Sequence, residues 1–155
     1  KAKLKTSEKR SMQTKKSIRY DAQQEREIDK AISRFSQRLM SDSKWVKLIG
    51  RLIEHTDKVC KIEFKKVQSN QMGELYLEAD TAFGFDYWQT GFEEHNSLGG
   101  VLAFREIEYL LFPKLFDEDE PVEQDIKYIE ELIKSIGDSC LEIDEQKLKV
   151  ICYKE

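Results

Sequence analysis

Lys44-Trp45-Val46-Lys47-Leu48-Ile49-Gly50-Arg51-Leu52-Ile53 is followed seven residues on by Cys60-Lys61-Ile62-Glu63-Phe64-Lys65. The change of period between the two decides the fold class. In the first, Trp45, Leu48, Ile49, Leu52 and Ile53 recur at steps of three and four, which puts them on one face of a helix. Ser41, Asp42 and Ser43 supply side-chain oxygens to cap its start. Gly50 weakens the helix by about 1 kcal/mol relative to alanine. In the second, apolar and charged residues alternate, the pattern of a half-buried strand. Cys60 is expected on the buried face with Ile62 and Phe64. A helix that hands over to alternating strands predicts an α+β fold.

Upstream, Ile28, Ile32, Phe35 and Leu39 keep the same helical spacing and predict a helix over residues 22–40. Downstream, Leu75 and Leu77 alternate in a strand over 74–79 after a turn at 69–73. Phe83, Phe85 and Tyr87 suggest a third strand, Leu98-Gly99-Gly100 a turn, and residues 102–112 a fourth strand. Pro121 suits a first helical position. Val122, Ile126, Ile129, Ile133 and Ile136 then mark a helix that Gly137 ends. Residues 141–144 and 147–153 read as a closing hairpin. The expected order is ααββββαββ: a mainly antiparallel sheet with two N-terminal helices and one later helix packed on it. Residues 1–20 read as a flexible basic arm and 21–155 as a single α+β domain.

Charged residues make up 36% of the 155, which predicts a heavily charged surface. The net charge of −4 hides an asymmetry: residues 1–66 carry 19 Lys/Arg against 9 Asp/Glu, and the remainder 7 against 21. Such a division points to a charged partner, an acidic or basic tail, or both. Three cysteines without a CxxC pair argue against a disulfide framework or a zinc site, and suit a reducing, cytoplasmic setting. No apolar run approaches the ~20 residues of a membrane span. No cofactor motif, Walker loop or GxSxG is present, so neither a metal nor a cofactor is expected.

The residues able to carry chemistry are few. His55 reads as a polar group at a helix C-terminus. His95, beside Glu93 and Glu94 in a loop, is the one acid/base candidate. Cys60 and Cys152 lie among apolar residues and read as structural. The rings of Phe83, Phe85, Tyr87, Trp88 and Phe92 allow three readings: core packing, base stacking, or a protein-binding surface. Asp117, Glu118, Asp119 and Glu120 either complement a helix N-terminus or recognise a basic partner. Glu106 and Glu108 extend that acidic surface if the fold gathers them.

The segments Ser43-Lys44-Trp45-Val46-Lys47-Leu48 and Arg105-Glu106-Ile107-Glu108-Tyr109-Leu110 resemble a group of small bacterial proteins with a Lys-Trp helix and an Ile-Glu-aromatic strand. The resemblance spans residues 43–112. Those proteins are similar in size and charge to the immunity proteins that accompany bacterial toxins. The resemblance implies a non-catalytic protein that neutralises a basic toxin domain through an acidic surface. Glu93, Glu94, Asp117, Glu118, Asp119, Glu120, Tyr87 and Trp88 are then the expected contacts. The alternative is a nucleic-acid-associated protein whose basic arm, through Lys5, Lys9, Arg10, Lys15, Lys16 and Arg19, neutralises phosphates.

Overall fold

The computed structural model describes residues 20–155, so the expected basic arm, apart from Tyr20, lies outside the described residues. Helix α1 spans Ala22–Ile32, α2 Asp42–Ile53 and α3 Ile126–Lys134. Strands β2 (Ile62–Lys66), β3 (Met72–Leu75), β6 (Ile107–Pro113), β9 (Cys140–Ile143) and β10 (Lys147–Ile151) form one antiparallel sheet in the order β3-β2-β6-β10-β9. The α+β architecture with a mainly antiparallel sheet is as expected.

Alternation decides which sheet face is covered. Ile62 and Phe64 of β2, Leu110 and Phe112 of β6, and Leu148 and Val150 of β10 are all buried in one core with Trp45, Leu48, Ile49, Leu52, Ile129 and Ile133 of α2 and α3. The opposite face carries a mixture of charge and ring. Lys65 pairs with Glu108 at 2.6 Å, and Lys149 lies 4.3 Å from the centre of the Tyr109 ring. Burial, then the Glu108 and Glu63 carboxylates, raises the Tyr109 phenol above its ordinary value.

Three short ribbons attach to this frame. Strand β1 (Gln37–Arg38) pairs with β11 (Tyr153–Lys154), β4 (Gly91–Glu93) with β5 (Val101–Ala103), and β7 (Leu115–Phe116) with β8 (Val122–Glu123). Each corrects an expectation. The first helix stops at Ile32, not residue 40, because Ser33 caps it and Gln37 and Arg38 pair with the C-terminal strand instead. Phe35 still packs against the core from the turn that follows the helix, its N–H donating to Ile32 O at 3.0 Å and its ring 5.2 Å from that of Tyr153.

The strand expected over 102–112 is broken by a 3₁₀ turn, Phe104–Glu106. The buried Glu106 carboxylate accepts from Ala103 N at 2.8 Å and from Gln68 Nε2 at 2.7 Å. The third helix begins at Ile126, where Asp125 accepts from Tyr128 N, rather than at Pro121. Asp117–Glu120 therefore form the turn of the β7–β8 ribbon, not a helix N-terminus, and Asp117 takes a left-handed φ of 68°.

Cys60 is exposed, against expectation, since the strand begins only at Ile62. Cys140 is also exposed, whereas Cys152 is buried and its thiol is pushed well above the ordinary value by desolvation. Iodoacetamide should thus modify Cys60 and Cys140 in the native protein, and Cys152 only in denaturant. Mass spectrometry of intact and digested protein checks this. Native modification of Cys152 would contradict the packing of the C-terminal strand.

Candidate functional site

Between β3 and the 3₁₀ turn the chain makes a long excursion, residues 76–100, that ends in the β4–β5 ribbon. The expected strand at 83–87 is a tight turn. Gly84, at a φ of +96°, supplies a backbone state that other residues adopt only at a cost. Its N–H donates to Tyr87 O at 2.7 Å, and Asp86 Oδ2 accepts from Ala82 N at 2.8 Å. Asp86 also fastens the turn to its surroundings. Its carbonyl accepts from Glu93 N at 3.1 Å, and its Oδ1 lies 3.0 Å from His95 Nε2. His95 is thus an arm of the turn's scaffold.

Gly91 is needed for a different reason. A Cβ there would lie 2.4 Å from Leu102 O and 2.7 Å from Ala103 Cα, so only glycine lets the two strands of the ribbon meet. Beyond it, Glu94 and His95 hold left-handed φ values of 66° and 59°. Such residues cost about 1 kcal/mol or more each unless their surroundings hold them. Buried Asn96 does so, donating to Glu94 O at 3.0 Å and Gly100 O at 3.2 Å. Tyr76 N donates to His95 O at 2.8 Å.

The aromatic cluster divides between core and surface. Trp45 stacks on Phe104 at 5.3 Å, Phe104 meets Phe92 edge-on at 5.4 Å, Phe92 lies 6.2 Å from Tyr87, and Tyr87 meets Phe83 edge-on at 5.2 Å. This row of rings runs from the interior beneath α2 to the surface. Tyr87 and Trp88, expected as partner contacts, are only 4% and 7% exposed; Phe83 and Phe85, at 51% and 52%, are the rings that face outward. Trp88 Nε1 donates to Glu93 Oε2 at 3.2 Å, which turns that carboxylate toward the ring cluster. Burial raises the Tyr87 phenol above its ordinary value.

Charge singles out the same lobe. From Val67 to Phe104 there are six Asp/Glu and no Lys or Arg. Among the described residues, Glu78, Asp80, Glu93 and Glu94 have no ion-pair partner. Glu106 and Glu108 do not enlarge this surface. The first is buried beneath Tyr20, and the second is taken by Lys65. The exposed Asp117–Glu120 turn stands apart on its own ribbon. Lys61 intervenes, 3.8 Å from Glu74 and 5.6 Å from the Phe116 ring. Lys5, Lys9, Arg10, Lys15, Lys16 and Arg19 lie outside the described residues.

His55 Nδ1 is 3.0 Å from Arg51 O, just past the end of α2, as its sequence position suggests. Among the described residues no group of three or more His, Cys, Asp or Glu is placed to hold a metal ion. No described helix is long and apolar enough to cross a membrane. Comparison with models of protein families, with curated proteins and with solved structures finds no match. The geometry of the lobe is therefore what bears on function.

Proposed function

We propose that the protein is a non-catalytic binding module that grips a basic protein partner with the lobe of residues 76–100, as an immunity protein grips its toxin. The observation that carries the reading is the joint presence there of half-exposed Phe83 and Phe85 and of four carboxylates without an ion-pair partner among the described residues. Aromatic anchors ringed by charge are what a specific interface uses. The rings supply burial, and the charges steer a partner of opposite sign and reject partners of the same sign. The scaffold beneath is preorganised by Asp86, Gly91 and Asn96, so little ordering cost falls on binding. Residues 20–155 carry 18 Lys/Arg against 29 Asp/Glu, a body that repels phosphate backbones.

Co-expression with the product of the adjacent gene tests the reading. Growth arrest by that product alone, relieved by the wild-type chain through a stable complex, is the expected result. A neighbour that is neither toxic nor bound would remove the case for neutralisation.

A further inference from the structure

The two edges of the five-stranded sheet differ. At β3 the chain covers its own edge: Leu75 bridges to Asn96, Tyr76 N donates to His95 O at 2.8 Å, and Ser97 N donates to Glu74 O at 2.9 Å. At β9 nothing among the described residues does so, and β10 sets which groups are left open. Cys152 N donates to Glu108 O at 3.0 Å and Lys114 N to Gln146 O at 2.7 Å, so the even-numbered residues of β10 bond toward β6. Its odd-numbered residues bond toward β9, beginning with Asp144 N to Lys147 O at 3.0 Å. Glu142 and Cys140, the register partners of Lys149 and Ile151, are therefore bonded inward. Leu141 and Ile143 turn their N–H and C=O groups outward, where no described group meets them.

The side chains at this edge are open as well. Leu141 and Ile143 lie opposite buried Val150 and Leu148, on the covered face of the sheet. Yet Ile143 is 44% exposed and Leu141 only partly buried. Sheet edges are commonly blunted by lysine, proline or a bulge. From Gly137 to Gln146 there is no Lys, Arg or Pro, whereas Asp138, Glu142, Asp144 and Glu145 are acidic. Of these, only Asp144 has a cation among the described residues, Lys147 at 3.5 Å.

A second copy of the chain does not suit this edge. Two-fold antiparallel pairing that joins the outward groups sets Glu142 opposite its own copy, Glu142 opposite Asp144, or Asp138 opposite Asp144. Like charges directly opposite are destabilising.

We propose that β9 takes an extended segment of another protein as a sixth strand, one that alternates apolar residues with Lys or Arg. Its apolar side chains extend the covered face beside Leu141 and Ile143, and its cations lie beside Glu142 on the other face. The two outward N–H and two outward C=O groups hold the segment, and the alternate side chains select it. This occupant is separate from the partner of the lobe, because β9 and β3 stand at opposite edges, four strand spacings or roughly 19 Å apart. The inference does not rest on the reading of the lobe.

Amide exchange of the full chain, followed by NMR, tests it with an eight-residue peptide that alternates Lys and Val. In the free chain the Leu141 and Ile143 amides should exchange at least about tenfold faster than those of Cys140 and Glu142. Saturating peptide should slow the outward pair about tenfold and leave the inward pair unchanged. Ile143→Pro should abolish that protection with little change in the urea midpoint, since proline is tolerated where a strand N–H faces solvent. Glu142→Lys should weaken the Lys–Val peptide about tenfold and favour the matching Glu–Val peptide. Outward amides as protected as the inward ones in the free chain, or protected only at high protein concentration, would overturn the proposal. So would equal affinity of the wild-type chain for the two peptides. Protection confined to residues 82–95 would also overturn it and leave the reading of the lobe intact.

Discussion

The variant Gln124→Leu should lose about 4 kcal/mol of stability, although Gln124 falls between the apolar positions Val122 and Ile126 and not on their stripe. Its amide is 3% exposed and fully used. Oε1 accepts from Cys60 N at 2.9 Å and Lys61 N at 3.2 Å, and Nε2 donates to Lys61 O at 2.9 Å and Pro113 O at 2.7 Å. One side chain thus fastens the lead-in to β2, the end of β6 and the start of α3. Leucine fits the space but leaves four backbone groups without partners, at about 1 kcal/mol or more each. Against a total stability of roughly 5–15 kcal/mol, that is a large share. It should show as a lowered urea midpoint at unchanged m. Gln124→Glu should fail almost as badly, because a carboxylate cannot donate to the two carbonyls. A midpoint within about 0.5 kcal/mol of wild type for both would mean that this node does not hold the elements together.

The second large effect concerns binding. Neutralising Glu78, Asp80, Glu93 and Glu94 together to glutamine should weaken the complex with the basic partner about 100-fold, with most of the loss in the association rate and in its salt dependence. The folded state should be nearly indifferent. None of the four has an ion-pair partner among the described residues, and the one scaffold bond among them, Trp88 Nε1 to Glu93 Oε2, keeps an acceptor in the Glu93→Gln side chain. Removing the rings instead, through Phe83→Ala and Phe85→Ala, should act on the dissociation rate, because these half-exposed rings are the apolar area the lobe offers a partner. Surface plasmon resonance at two salt concentrations separates the two contributions. A quadruple variant that binds as tightly as wild type would exclude the lobe carboxylates from recognition.

Much of the frame was legible because it is built on period. The stripes of α2 and α3 and the alternation of β2 and of the closing hairpin follow directly from which residues must be buried. Period misled where the chain reaches the same core by another route. Phe35 continues the helical spacing of α1 and is indeed packed, but from the turn after Ser33. Phe83, Phe85 and Tyr87 alternate like a strand, yet Gly84 and the Asp86-to-Ala82 bond close them into a turn. That signal was readable, since glycine and aspartate around a short run are turn chemistry.

Gln124 and Tyr20 were not legible, because a buried polar group is identified only by partners distant in sequence. The candidate site was half legible. Glu93 and Glu94 lie on the lobe, Glu93 as the end of strand β4 and not in the expected loop, and Tyr87 and Trp88 are buried whereas Phe83 and Phe85 are half-exposed. The run from Val67 to Phe104 without Lys or Arg was visible in the sequence. A division of the chain at residue 66 dilutes it with the acids and lysines that follow.

Hydrogen exchange of the full chain, alone and mixed with the product of the adjacent gene, tests most directly whether the lobe is a gripping surface. Slowed exchange should concentrate in residues 82–95, with the five-stranded sheet and the 117–120 turn unchanged. Protection over Met72, Tyr109 and Ile151 on the opposite face of the sheet, with the lobe exchanging as freely as before, would contradict it.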